Sequence, residues 1–224
     1  MLVCYTKEKS LEDEDGNMDM KVSGSGVLPG GEYESVKLSG AVKLAGDVTC
    51  TSFSSSGALQ GQGINCLGKI SISGSSKLGD LSAEELAVSG AFACGTVKCT
   101  ELSVKGAVSV AGDITATESA VLQGAVSCKG LLSAERISIV FDSSTELVNI
   151  KGFSVSMAKE SRLAKNARVT NGVDADEISL THVSCPRVSG KRVTIGKGCK
   201  IDLVEYSETV DISPDAEVVK TEKI

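Results

Sequence analysis

Glycine recurs at Gly40, Gly57, Gly74, Gly90, Gly106 and Gly124, at spacings of 17, 17, 16, 16 and 18 residues. Between them run AVKLAGDVTCTSFSSSG, ALQGQGINCLGKISISG, SSKLGDLSAEELAVSG, AFACGTVKCTELSVKG and AVSVAGDITATESAVLQG, and a sixth copy begins AVSCKGLLSAERISI at Ala125. A second glycine column, Gly46, Gly63, Gly79, Gly95, Gly112 and Gly130, follows five or six residues behind the first. Glycine serves where a chain turns with positive φ or where backbones crowd, so two columns mark two recurring corners. A short fixed period is the signature of a solenoid.

The apolar residues fall in pairs spaced by two. The first pairs are Val42/Leu44, Phe92/Cys94, Val108/Val110 and Val126/Cys128. The second are Val48/Cys50, Ile64/Cys66, Leu81/Ala83, Val97/Cys99, Ile114/Ala116 and Leu132/Ala134. The third are Ile70/Ile72, Leu86/Val88, Leu102/Val104 and Ile137/Ile139. A period of two is strand periodicity, one side chain out between two in. Three pairs per period make three short strands per turn. The period is too short for a helix and a strand in each repeat. At about 3.3 Å per residue each turn is a triangle with sides of roughly 18 Å, and turns stack about 4.8 Å apart. The expected fold is all-β: a single-stranded parallel β-helix of triangular cross-section, about 17 residues per turn. Aromatics make up 3% of the chain and Trp is absent, which suits a narrow core of stacked Val, Ile, Leu, Ala and Cys.

Read in order, residues 1–21 form an acidic N-terminal tail, with two lysines against six acids in the first twenty. Residues 22–140 carry the β-helix repeats. Val36 and Leu38 match the third apolar pair, and Pro29 with Gly30–Gly31 makes a loop before them. From 141 to 172 the rhythm breaks. Strand-like alternation persists at Val148 and Ile150, and Lys151, Lys159, Arg162, Lys165 and Arg168 form a candidate basic patch for an anionic partner; a solvated edge is the plainer reading. Residues 173–219 resume the coil, with inward pairs expected at Val193/Ile195, Cys199/Ile201 and Val210/Ile212, and 220–224 close the chain as a charged tail.

Chemistry is sparse. The net charge of −6 and a pI near 5.0 argue against non-specific nucleic-acid binding. Most of the eight cysteines alternate in columns with Ala, Leu and Val and read as small buried hydrophobes. No CxxC is present, so no zinc site is expected. A Cys50–Cys66 disulfide between neighbouring turns is the alternative, but many buried thiols fit a reducing cytosol better. The first residues lack a basic-then-apolar leader, and no run approaches the ~20 apolar residues a spanning helix needs. His182 is the only histidine and is expected to point outward from a strand, with no orienting partner to make it a base. Glu85, Glu101 and Glu118 fall one turn apart. They read as a row of outward charges rather than as the paired carboxylates of a glycosidase, because turns this short leave no cleft. GKGCK lacks P-loop spacing, and VTIGKGCKI carries a hexapeptide-like rhythm only once.

The turn AVxxxGDIxCxxLxVSG, together with YESVKLSG (Tyr33–Gly40), VDADEISL (Val173–Leu180) and GKRVTIGKGCKIDLVEYSETVDISPDAEV (Gly190–Val218), resembles the bactofilins, bacterial polymer-forming cytoskeletal proteins, and within them the longer Gram-positive members. The likeness covers about residues 22–224; the break at Val140–Gly172 departs from the family's single compact β-helix. The resemblance implies a right-handed coil that polymerises end to end without nucleotide, acts as a scaffold rather than an enzyme, and needs no cofactor or metal. Expected partners are other copies of the chain, and beyond them cell-envelope proteins or an anionic membrane surface, with no nucleic acid. The expected location is the cytoplasm, peripheral to the inner face of the membrane. Each end of a β-helix offers an unpaired strand rim. Those rims are expected at Val27, Val36 and Leu38, and at Val204, Tyr206, Val210 and Ile212. A β-helical surface adhesin and a polysaccharide-acting β-helix enzyme are the alternatives.

Overall fold

The computed structural model describes residues 18–161 and 165–224. It is a parallel β-solenoid of about twelve turns set about 17 residues apart. The strands are β1 (Met20–Leu28), β2 (Gly31–Leu44), β3 (Val48–Gln60), β4 (Ile64–Cys66), β5 (Lys69–Lys77), β6 (Leu81–Ser82), β7 (Glu85–Cys94), β8 (Val97–Val110), β9 (Ile114–Phe141), β10 (Glu146–Lys159), β11 (Ala167–Leu180), β12 (Val183–Ile195), β13 (Lys200–Ile212) and β14 (Glu217–Lys223). Each turn pairs in parallel with the next, so residues of one column stack along the whole rod.

The apolar pairs read from the repeat point inward. Nearly all are buried, from Val42/Leu44 through Ile137/Ile139 to Val193/Ile195 and Cys199/Ile201. Ala83, Val210 and Ile212 are half-buried and pack against the same core. Side-chain size varies along a column: Phe53 stacks between Val36 and Ile70, while Ala120 faces Leu102. One column holds a misfit. Ser76 sits between Leu59 and Phe92, and its buried hydroxyl has no hydrogen-bond partner.

The first glycine column is an unbroken ladder. Gly24, Gly40, Gly57, Gly74, Gly90, Gly106 and Gly124 stand in register. From Gly40 onward their φ lies between +109° and +123°, which L side chains rarely adopt. A Cβ on any of these six would also run into the carbonyl oxygen of the glycine one turn before. The second corner is held differently. Asp47, Asp80 and Asp113 each accept, through Oδ1, the backbone N–H of the next turn, at Gly63 (2.8 Å), Thr96 (2.8 Å) and Leu131 (2.7 Å).

The segment expected to be irregular, 141–172, contains a full turn of the coil. Strand β10 pairs in register with β9 on one side and β11 on the other. Its rhythm is hidden by a bulge between Leu147 and Asn149, so Leu147 and Ile150 face inward and Val148 does not. Thr145 occupies an inward position, and its Oγ1 accepts the N–H of Val126 at 3.4 Å. The extra length lies between β10 and β11: 23 residues separate Met157 from its partner Leu180, against 15 from Leu180 to Ile195. The two tails are likewise shorter than expected. Met20 and Lys21 belong to β1, and residues 220–223 belong to β14, which pairs with β13.

Candidate self-assembly rims

Among the described residues the coil ends on two rims of different character. At the N-terminal end, β1 lies over β2, so Val36 and Leu38 are covered by Met20 and Val22 and are buried. They are therefore core residues rather than rim residues, because the first turn begins one period earlier than the sequence showed. Val27 lies in β1 itself and is 46% exposed. Tyr33 takes the register position stacked on Cys50. It is buried, and its hydroxyl donates to the Pro29 carbonyl at 3.0 Å. A large ring thus stands at the first described level of a column that small residues, Cys50 and Cys66 among them, fill in the turns that follow.

At the C-terminal end, Val204 is buried beneath Thr221 of β14, and Tyr206 lies half-buried beneath Lys223. These two predicted rim residues are also one turn inside the end. Thr221 and Lys223 thus take column positions held by Val204 and Tyr206, which makes the last turn polar on that side. The other side is different. The second half of β13, including Val210 and Ile212, pairs back to Val193 and Ile195, and no strand follows it among the described residues. Val210 and Ile212 remain half-buried, with exposed Asp211 between them.

The described residues of the predicted basic patch lie on β10, just before β11 and on β11. Lys151 is exposed and stands in register with Asp174, and Arg168 is exposed beside Glu146. Lys159 ends β10, Lys165 is exposed just before β11, and Arg162 lies outside the described residues. The cations of β12 are instead tied into ladders across turns. Arg187 binds Asp174 at 2.9 Å and Glu205 at 2.7 Å, and Lys191 binds Asp176 at 2.7 Å. Arg192 binds Glu177 and, at 2.9 Å, Glu208. These ladders escaped the sequence reading because the partners are 13 to 18 residues apart.

The other chemical candidates resolve as structure. Glu85 stacks on Glu101 and binds Lys69 at 2.5 Å, whereas Glu101 faces Ser119 because a register shift sets Glu118 aside. His182 is not on a strand: it turns the corner between β11 and β12 with φ +57°. Partial burial and the charges of Lys159 and Lys197 hold its imidazole below the usual range. Seven cysteines are buried free thiols. Burial, helped at Cys50 by neighbouring Cys66, pushes Cys50 and Cys94 up to about 12 and Cys99 and Cys185 to about 11. Such thiols are poor nucleophiles. Among the described residues no three His, Cys, Asp or Glu side chains converge as metal ligands, and no helix is long and apolar enough to cross a membrane.

No family model matches the chain, and no curated protein or solved structure matches it either.

Proposed function

We propose that this chain is a non-enzymatic, self-assembling scaffold whose copies stack end to end through the rims of the solenoid, without nucleotide. The observation that carries this reading is the C-terminal rim. Val210 and Ile212 continue two columns of the core, yet no strand among the described residues pairs onto the half of β13 that holds them. A strand edge with an apolar inner side is a template for another strand. Natural edges are usually blunted by charge. Here that occurs over Val204 and Tyr206, through Thr221 and Lys223, and leaves the neighbouring side apolar. The resemblance to the bactofilins points the same way, and the flat faces offer filament partners a long regular surface rather than a pocket.

The test is sedimentation of the purified chain over a range of concentrations, beside negative-stain microscopy. Filaments formed without added nucleotide, and abolished by Ile212→Lys, are expected. Leu38→Lys is unsuitable, because Leu38 is buried beneath β1 and its loss would disturb folding. A monomer at every concentration and salt overturns the proposal.

A further inference from the structure

One outward column changes character only at its ends. It runs Lys21, Lys37, Ser54, Ser71, Ala87, Ser103 and Val121 through the N-terminal turns. Beyond the turn that β9 makes on itself it continues as Ser138, Ser156, Ser179, Thr194 and Asp211. Lysine stands at the first two levels, Lys21 and Lys37, and aspartate at the last, and everything between Lys37 and Asp211 is uncharged. Among the described residues the flanking inward columns end on Met20 and Val22 at the first rim and on Val210 and Ile212 at the second.

Resting on the scaffold reading above, we infer that the partner of the C-terminal rim is the N-terminal rim of a second copy, joined head to tail in the register of the coil itself. One more period places Met20, Lys21 and Val22 of the next copy on Val210, Asp211 and Ile212. The apolar columns then run through the junction, and Lys21 meets Asp211 as a cross-strand pair of opposite charge. Three other acids of the last turns are engaged, Glu208 with Arg192 and Glu217 with Lys200 at 2.9 Å each and Glu222 with Lys220, while Asp215 lies outside this column, on the turn before β14. Lys21 and Asp211 make no ion pair among the described residues. A tail-to-tail junction would set two Asp211 carboxylates against one another, and a head-to-head junction two Lys21 ammonium groups. Like charges facing across an interface are strongly disfavoured.

The experiment is a charge swap in the full-length chain. Asp211→Lys and Lys21→Asp are made singly, checked for wild-type circular dichroism, and assayed by sedimentation alone and mixed one to one. Each variant alone should need at least about tenfold more protein to assemble, because its only junction is Lys on Lys or Asp on Asp. The equimolar mixture should regain wild-type assembly as an alternating copolymer, since each C-terminal rim then meets an opposite charge. A misfolded variant could not give that recovery. Wild-type filaments with no recovery in the mixture would overturn the head-to-tail register alone, as would Asp211→Lys assembling better than wild type. A wild-type chain that never assembles would overturn the scaffold reading together with this one.

Discussion

Replacing Gly90 by alanine should damage the coil more than replacing Gly24, and the difference isolates a steric effect from a conformational one. Both residues belong to the same ladder and both have positive φ, +117° at Gly90 and +88° at Gly24. An alanine at either position bears the left-handed backbone cost, about 1–2 kcal/mol. At Gly24 a Cβ meets nothing within 4 Å. At Gly90 it lands on the carbonyl of Gly74, and within 3.2 Å of the Gly74 nitrogen. Backbone cannot rotate away as a side chain can, so the turn must shift, at a further cost of about 1–3 kcal/mol typical of overpacking. The total at Gly90 is then roughly 2–5 kcal/mol. Stability in a repeat array is the sum of each turn and its interfaces. Urea melts should therefore be read beside hydrogen exchange of the amides in β5, β7 and β8, where the loss should concentrate. Gly90→Ala and Gly24→Ala melting alike would refute the ladder argument, because only the neighbour above distinguishes them.

Two further outcomes follow from the core. Ser76→Ala removes a buried hydroxyl that has no partner and should raise stability by about 1 kcal/mol; a lowered urea midpoint would mean that the hydroxyl is satisfied in solution. The thiols set an alkaline limit. Cys50, Cys94, Cys99 and Cys185 titrate near 11–12 when folded but near 8.5 when unfolded. Their contribution is thus intact below about pH 8.5 and is lost as pH rises toward 11–12. Thermal melts at rising pH should fall through that window, and a Cys99→Ala/Cys185→Ala variant should fall less steeply; identical slopes would refute the assignment.

The repeat made the core legible because every inward pair obeys a period of two and every turn a period near 17. The rims were displaced for a definite reason. The first turn, Met20–Leu28, has Met20/Val22 as one apolar pair, but Gly26 stands where Val42 does one turn on, so only that single pair advertises the turn. The last, Glu217–Lys223, places Thr221 and Lys223 where the rhythm expects hydrophobes. Both are the outermost turns among the described residues, and their sequences answer to solvent as well as to the core, so periodicity fades there. The turn at β10 was hidden by its bulge, which moves the inward side chain from Val148 to Leu147. None of the cross-turn contacts, neither the aspartate clamps nor the ion ladders, leaves a local pattern, since each joins residues a full turn apart.

The two halves of the rod hold their register by different means, and the change falls where the glycine ladder stops. Up to Gly124 a slip of one residue would put a Cβ onto a neighbouring carbonyl, so sterics alone forbid it. Beyond it the corner passes to His182 and Gly198, with φ of +57° and +71°, a conformation open to residues other than glycine. Backbone crowding therefore no longer specifies alignment. The alternation of acids in β11, bases in β12 and acids again in β13 takes over. Asp174, Asp176 and Glu177 face Arg187, Lys191 and Arg192, and two of those cations reach onward to Glu205 and Glu208. Each pair is exposed and individually weak. A slipped strand, however, forfeits several at once, which makes the ladder a device for alignment more than for stability. The same principle continues to Asp211, where the outward column ends on a charge with no ion-pair partner among the described residues. A rod whose last turns are aligned by alternating charge presents at its edge the charge that the next turn would have to answer, and in the proposed junction Lys21 answers it.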